Sequence, residues 1–293
     1  MMEVFETIQR LSETDANILI LGENGTGKDL VARSLRYYSP RSNRPFSTID
    51  LGSIPENLFE SELFGYEKGA FTDARQSKAG RMEVAAGGTL FLDEIGNLSL
   101  PMQSKLLTAI EKRQISRLGS TNIVPIDVRL ICATNADIVQ MVEKGSFRQD
   151  LFFRINTIEI HIPPLRDRGD DVILLAEHFL KHYSHKYKKD VKTISREAKM
   201  KLLKYSWPGN VRELQHAMER AVILSVGNSL KPVDFILRRP SSDRSTDNEE
   251  VFNLEELERD AIDRAMKRCS GNVSRAADLL GITRFALYRK LEK

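Results

Sequence analysis

Short apolar runs alternate with amphipathic stretches from Asn17 to about Ile162. Ile18 to Leu21, Leu90 to Leu92, Val128 to Cys132 and Ile158 to Ile162 are too short for helices and read as buried strands. Helices are predicted between them, from about Lys28 to Leu35 and from Met102 to Lys112. This alternation predicts an α/β unit with a mostly parallel sheet. Pro163-Pro164 then stops regular structure, and from Asp170 to about Leu237 the pattern turns wholly helical. Val172, Leu175, Ala176 and Phe179 mark one helix of this all-α unit, and Ser195 to Tyr205 a second. The polar run Arg239 to Glu250 reads as a mobile linker. Three short helical segments follow: Leu254 to Arg268, Ser274 to Leu280 and Arg284 to Leu291. Ser270-Gly271-Asn272 breaks the first, and Gly281-Ile282-Thr283 turns the chain between the other two, the pattern of a helix-turn-helix. The divisions are therefore 1–166, 167–238, a linker at 239–252, and 253–293.

Length and composition add limits. The 293 residues can bury a large core and form two or three packing units. No stretch of eighteen apolar residues occurs, and Met-Met-Glu-Val-Phe-Glu lacks the basic and then apolar layout of a secretory signal, so a cytoplasmic location without a membrane partner is expected. Cys132 and Cys269 stand far apart without a Cys-x-x-Cys pair, which favours reduced thiols over a disulfide or a zinc site. The net charge of +3 says little as a total. Its distribution says more: Arg264 to Lys293 holds eight Lys/Arg against two Asp/Glu, the footprint of a nucleic-acid partner. On the last segment, Thr283, Arg284 and Phe285 would lie along base edges of double-stranded DNA, while Arg275, Tyr288, Arg289 and Lys290 reach phosphates. A small basic helical bundle without a ligand is the blander alternative.

Two motifs carry chemistry. Gly22-Glu23-Asn24-Gly25-Thr26-Gly27-Lys28-Asp29 follows an apolar strand and reads as a phosphate cradle: backbone N–H groups converge on an anion, and Lys28 reaches the β- and γ-phosphates. The usual hydroxyl after the lysine is replaced by Asp29. Gly88-Thr89-Leu90-Phe91-Leu92-Asp93-Glu94 delivers two carboxylates at the end of a second strand. Beside a phosphate loop, Asp93 is suited to holding Mg²⁺ through water, and Glu94 to orienting the attacking water. His178, His182 and His185 share a spacing that a metal could use, but the surrounding lysines favour a solvated helix face.

Over nearly its whole length the chain resembles the bacterial enhancer-binding proteins, AAA+ activators of sigma-54 RNA polymerase of the nitrogen-regulatory response-regulator type. Glu62 to Ala74 is similar to the loop that contacts the sigma factor, with Gly69, Ala70, Phe71, Thr72, Asp73 and Ala74 at its tip and Asp73 in place of a second glycine. The resemblance implies an ATP- and Mg²⁺-dependent ATPase with a helical lid. It places Asn135 as a γ-phosphate sensor, Arg148 and Arg154 as fingers reaching a neighbouring subunit's site, and Arg212 of Trp207-Pro208-Gly209-Asn210-Val211-Arg212 as a lid contact to nucleotide. Locally, Pro-Gly sets a turn there, Asn210 caps the next helix, and Trp207 reads as lid core. Asp50 stands where many members place an Asn that restrains the catalytic Glu. Gly271 to Ala277 and Leu280 to Arg284 resemble a Fis-type DNA-binding domain, which usually dimerises. The implied partners are sigma-54 RNA polymerase holoenzyme, upstream activator DNA and further copies of the chain, from dimer to hexameric ring, in a two-component system. Members usually carry more chain before the phosphate loop, so a shortened chain lacking a receiver domain is expected. Two alternatives stay open: a DNA-binding regulator that uses ATP for assembly without engaging sigma-54, favoured by Asp73 and Asp50, and a general AAA+ remodeller.

Overall fold

The computed structural model describes residues 1–237, Ile262, Ala265, Met266, Cys269 and 272–291. The chain divides into two compact units, Met1–Leu237 and Arg238–Lys293. The linker expected at 239–252, and most of the helix expected from Leu254 to Arg268, lie outside the described residues.

Five parallel strands form the central sheet, in the order Phe46–Asp50, Thr89–Asp93, Arg129–Thr134, Ile18–Leu21, Ile158–His161. Their unbroken apolar runs follow from burial on both faces. Ile18, Ile20, Phe91, Ile131 and Ile160 point to one face and meet Val4 and Ile8 of the Met2–Ser12 helix and Val31 and Leu35 of the Lys28–Tyr37 helix. Leu19, Leu90, Leu92, Leu130 and Cys132 point to the other, against Leu63, Leu106 and Leu151. Burial pushes the Cys132 thiol well above its ordinary range, so it behaves as a small core hydrophobe.

The strand over Phe46–Asp50 was not among those read from the apolar runs. It lies at the sheet edge, where Ser47 and Ile49 are buried and Thr48 and Asp50 exposed, so its pattern alternates instead of running continuously. The other strands and the helices Leu100–Lys112, Asp171–Lys186 and Arg196–Lys204 fall within a few residues of the expected positions.

The helical part of the first unit packs around the fully buried Trp207, whose indole N–H donates to the Leu202 carbonyl at 2.9 Å. His178, His182 and His185 all lie on an exposed face of the Asp171–Lys186 helix, and the first two rest edge-on against Phe179 and Tyr183. No helix among the described residues is long and apolar enough to cross a membrane.

In the second unit, Asn272 caps the Val273–Leu280 helix by accepting from the N–H groups of Ser274 and Arg275. Gly281, at φ 67°, ends it in the left-handed conformation that glycine adopts freely. The Arg284–Leu291 helix then packs through Leu287 against Ala276 and Ala277. Two helices joined by a tight turn match the expected helix-turn-helix.

Replacing Trp207 by Ala removes the largest buried side chain of the lid and leaves the Leu202 carbonyl without this donor. Denaturant unfolding should show a loss of about 3–5 kcal/mol.

Candidate functional site

Because all five strands run the same way, their carboxyl ends share one edge, and the chemistry-bearing residues collect there. Asp50 pairs in register with Asp93, and Leu21 with Thr134. Beyond Leu21, Gly25 and Gly27 take φ of 79° and 102°, left-handed conformations that suit the tight turn of an anion-binding loop and that a side chain would strain. Lys28 opens the following helix and is 6% exposed. Its Nζ donates to the Gly22 carbonyl at 3.0 Å and stands 3.4 Å from Glu94 Oε1. A buried ammonium held this way faces the cradle as a preformed anion site.

The acids gather on the other side of that ammonium. Burial raises the Asp93 carboxyl above the ordinary carboxylate range, and the neighbouring charges of Glu94 and Asp50 add to the rise while Lys28 opposes it. The Glu94 N–H donates to Asp93 Oδ1 at 3.0 Å, and Glu94 itself sits at φ 54°, a strained conformation for a residue with a side chain. Its Oε2 accepts from the N–H of Asn135 at 3.3 Å, bringing the expected sensor into contact with the expected base. Asp50 accepts instead from the N–H of Gly52 at 3.0 Å, within its own turn. Asp93, Glu94 and Asp50 leave this end of the sheet with more negative than positive charge beside Lys28. Among the described residues no cluster of three or more His, Cys, Asp and Glu side chains is arranged to hold a metal alone, so a cation here would draw on phosphate and water beside Asp93. The side chain of Asp29 does not enter the cradle: it pairs with Arg33 at 2.8 Å on the exposed face of the helix.

The lid is fastened directly to the phosphate loop by residues that the sequence reading did not weigh as a group. Asn210 does not cap its helix; that position falls to Gly209, and Asn210 is the first helical residue, fully buried at φ 51°. Its Oδ1 accepts from the Leu165 N–H at 2.7 Å, and its Nδ2 donates to Glu23 Oε2 and to the Asn24 carbonyl, both at 3.0 Å. Glu23 is also gripped in a fork by Arg166 at 2.6 and 3.0 Å. Arg168 donates to the Thr26 carbonyl at 2.8 Å, and the N–H groups of Val211 and Arg212 both point at the Gly25 carbonyl. The backbone of Arg212 therefore lies against the phosphate loop. A Cβ on Gly25 would stand 2.4 Å from the Gly209 carbonyl. The one sequence cue to this clamp is Arg166-Asp167-Arg168, one residue beyond Pro163-Pro164.

Arg148 and Arg154 lie on the exposed surface; Arg148 pairs with Asp150 at 2.6 Å, and neither meets the same chain's phosphate loop among the described residues. The Glu62–Ala74 segment ends in a loop between the paired strands Gly65–Tyr66 and Lys78–Ala79. Phe71 is 42% exposed near its tip and leans edge-on against Tyr66 at 4.9 Å. Gly69 takes φ 83°, and its N–H donates to the Ala74 carbonyl at 2.9 Å, closing the tip around Ala70, Thr72 and Asp73. Arg117 braces the base of the loop through Glu67 at 3.0 Å and also pairs with Glu83. In the second unit Arg275, Thr283, Arg284, Phe285, Tyr288, Arg289 and Lys290 are all exposed.

Comparison with known proteins agrees with this geometry. Residues 1–161 match the sigma-54 interaction domain, 166–251 the AAA+ ATPase lid domain, and 253–293 the bacterial regulatory protein Fis family. The nitrogen fixation protein AnfA of Azotobacter vinelandii is 44% identical over 299 residues, covering all of this chain and 56% of that protein. The transcriptional regulatory protein ZraR of Salmonella typhimurium is 44% identical over 294 residues, covering all of this chain and 67% of that protein. Among solved structures, NtrX from Brucella abortus in complex with ATP superposes with a TM-score of 0.76 at 33% identity, over all of this chain and 67% of that one. The chain thus spans between about half and two thirds of the length of these relatives. Its fold is that of a AAA+ P-loop NTPase with a helical lid and a Fis-type domain.

Two outcomes follow from the clamp. Hydrogen bonds from Arg166 and then Asn210 hold the Glu23 carboxyl below its ordinary range. A carboxyl lowered in the folded state contributes stability that is full above its unfolded value and is lost as pH falls through the folded value. Glu23→Gln should therefore flatten the acid limb of the stability curve, measured by denaturant unfolding between about pH 5 and 3. Asn210→Ala leaves the Leu165 N–H and the Asn24 carbonyl without this partner and should lower the melting temperature, at a cost of about 2–4 kcal/mol, while weakening nucleotide binding.

Proposed function

This chain belongs to the family of sigma-54-dependent transcription activators, and from that premise we propose that it is an ATP-driven activator whose hydrolysis moves the Phe71-Thr72 loop against the polymerase. The observation that carries the reading is the buried Lys28 ammonium, held between the Gly22 carbonyl and the Glu94 carboxylate at the end of the glycine-rich loop. Nucleotide phosphates entering the cradle outbid Glu94 for that ammonium, because a polyanion offers Lys28 more charge than one carboxylate. Glu94, released on that side and still within reach of the Asn135 N–H, then orients the attacking water and takes its proton. Asp93 would hold a Mg²⁺ ion through water, and that ion would supply charge neutralisation for the phosphates. Arg148 and Arg154, both exposed, serve the site of an adjoining copy, so turnover requires assembly.

The working divisions are 1–166 for the nucleotide-binding part, 167–238 for the lid, 239–252 for the linker and 253–293 for DNA. Lid and phosphate loop form one bonded assembly, so the change from triphosphate to diphosphate reaches the lid through Glu23, Asn210 and Arg212 without an intermediary. Arg117 supports passage of movement to the sigma-contact loop by bracing its base. The Fis-type domain holds the assembly on upstream DNA in the cytoplasm.

ATP turnover measured against protein concentration tests the motor. It should rise more steeply than linearly at low concentration. Glu94→Gln should lower it about 10²–10⁴-fold without loss of nucleotide binding. Arg148→Ala should lower it by about 10³-fold or more and recover in part when mixed with Glu94→Gln chains. Turnover strictly proportional to concentration and indifferent to Arg148→Ala would sink shared catalysis. Nucleotide-dependent assembly with no sigma-54 capture in the presence of a transition-state analogue would favour the assembly-only reading.

A further inference from the structure

The first turn of the Arg284–Leu291 helix presents an aromatic ring where a DNA reader usually offers polar groups. Phe285 is 86% exposed, while Leu287, two residues on, is fully buried in the small core. Two polar side chains beside it have partners within the chain. The Thr283 hydroxyl accepts from the Ala286 N–H at 3.3 Å and so caps the helix, and the Arg284 guanidinium lies 5.7 Å over the Tyr288 ring. Among the described residues, no ring, cation or hydrogen bond covers Phe285. Helical spacing puts Phe285 on the same face as Tyr288 and Arg289, both exposed. That face joins cations with apolar rings, in a segment with a local excess of six basic residues.

Building on the DNA-binding reading above, we propose that Phe285 is a specificity-determining residue that reads the C5-methyl group of thymine in the major groove. The thymine methyl is the one apolar mark on major-groove base edges, and an aromatic ring held clear of its own core is the group that can cover it. The ring also excludes water from the neighbouring contacts, so Arg284 and Arg289 are left to phosphates and hydrogen-bonding bases. Specificity at this position is then for a methyl group and not for a hydrogen-bond pattern, and 5-methylcytosine substitutes in part for thymine.

The test uses the full chain. Selection from random duplexes defines the preferred site, and each thymine in it is then replaced by deoxyuridine, which removes only the methyl group. One thymine per half-site should be sensitive, with about a fourfold loss of affinity. Phe285→Ala should lower affinity for the selected site by a similar factor and abolish the thymine-to-uracil difference, whereas Phe285→Leu should keep most of it. Because the ring lies outside the core, circular dichroism should show these variants folded. If the thymine-to-uracil difference is absent, or persists unchanged in Phe285→Ala, the inference fails while DNA binding stands. If selection enriches no sequence and the chain binds no duplex at low salt, the DNA-binding reading itself fails.

Discussion

The buried amide of Asn210 is the contact on which the nucleotide site's shape depends. It satisfies the Leu165 N–H just before the lid, a carbonyl in the phosphate loop and the carboxylate of Glu23 at once. Three parts of the chain far apart in sequence thus meet on one side chain with no exposed surface. A buried polar group is costly unless fully bonded, so the lid and cradle hold one another in a single arrangement. The positive φ of Asn210 is the local strain that this arrangement sustains.

A second polar balance lies at the heart of the cradle. Lys28, Glu94, Asp93 and Asp50 form a cluster with more negative than positive side chains, and burial already works against the charge on Asp93. The cluster is thereby disposed to accept a cation and a polyanion together, since either alone would leave charge unmatched. Glu94 contacts both Lys28 and the Asn135 N–H, so a group that displaces it from one of them is registered at the other.

Much of this was legible in the sequence. The four apolar strands stood out because both faces of the sheet are covered, and the phosphate loop and acid pair because their spacing is set by close backbone approach. Edge strand Phe46–Asp50 was missed for the opposite reason: one of its faces is wet, and its alternation is too short to separate from a loop. The clamp was hidden because Glu23, Arg166 and Asn210 are scattered over nearly two hundred residues, and the basic Arg166-Asp167-Arg168 cue does not say which distant side chains it meets. Asn210 shows the limit well. Its position after Pro-Gly suggests a helix cap, yet tertiary bonds draw its amide to the loop instead. The outward turn of Asp29 has a local explanation, since Arg33 one turn on offers a surface partner.

The close approach of Gly25 to the Gly209 carbonyl also bears on how such proteins can be recombined. Lid and cradle interlock at the level of backbone atoms, where no rotamer change can absorb a mismatch. A hybrid that grafts a lid from a relative onto this α/β core must therefore carry the matching Pro208–Arg212 corner, or exchange the phosphate loop with it. The practical seam for such a graft lies inside the lid, beyond Arg212, and not at the apparent boundary after the two prolines.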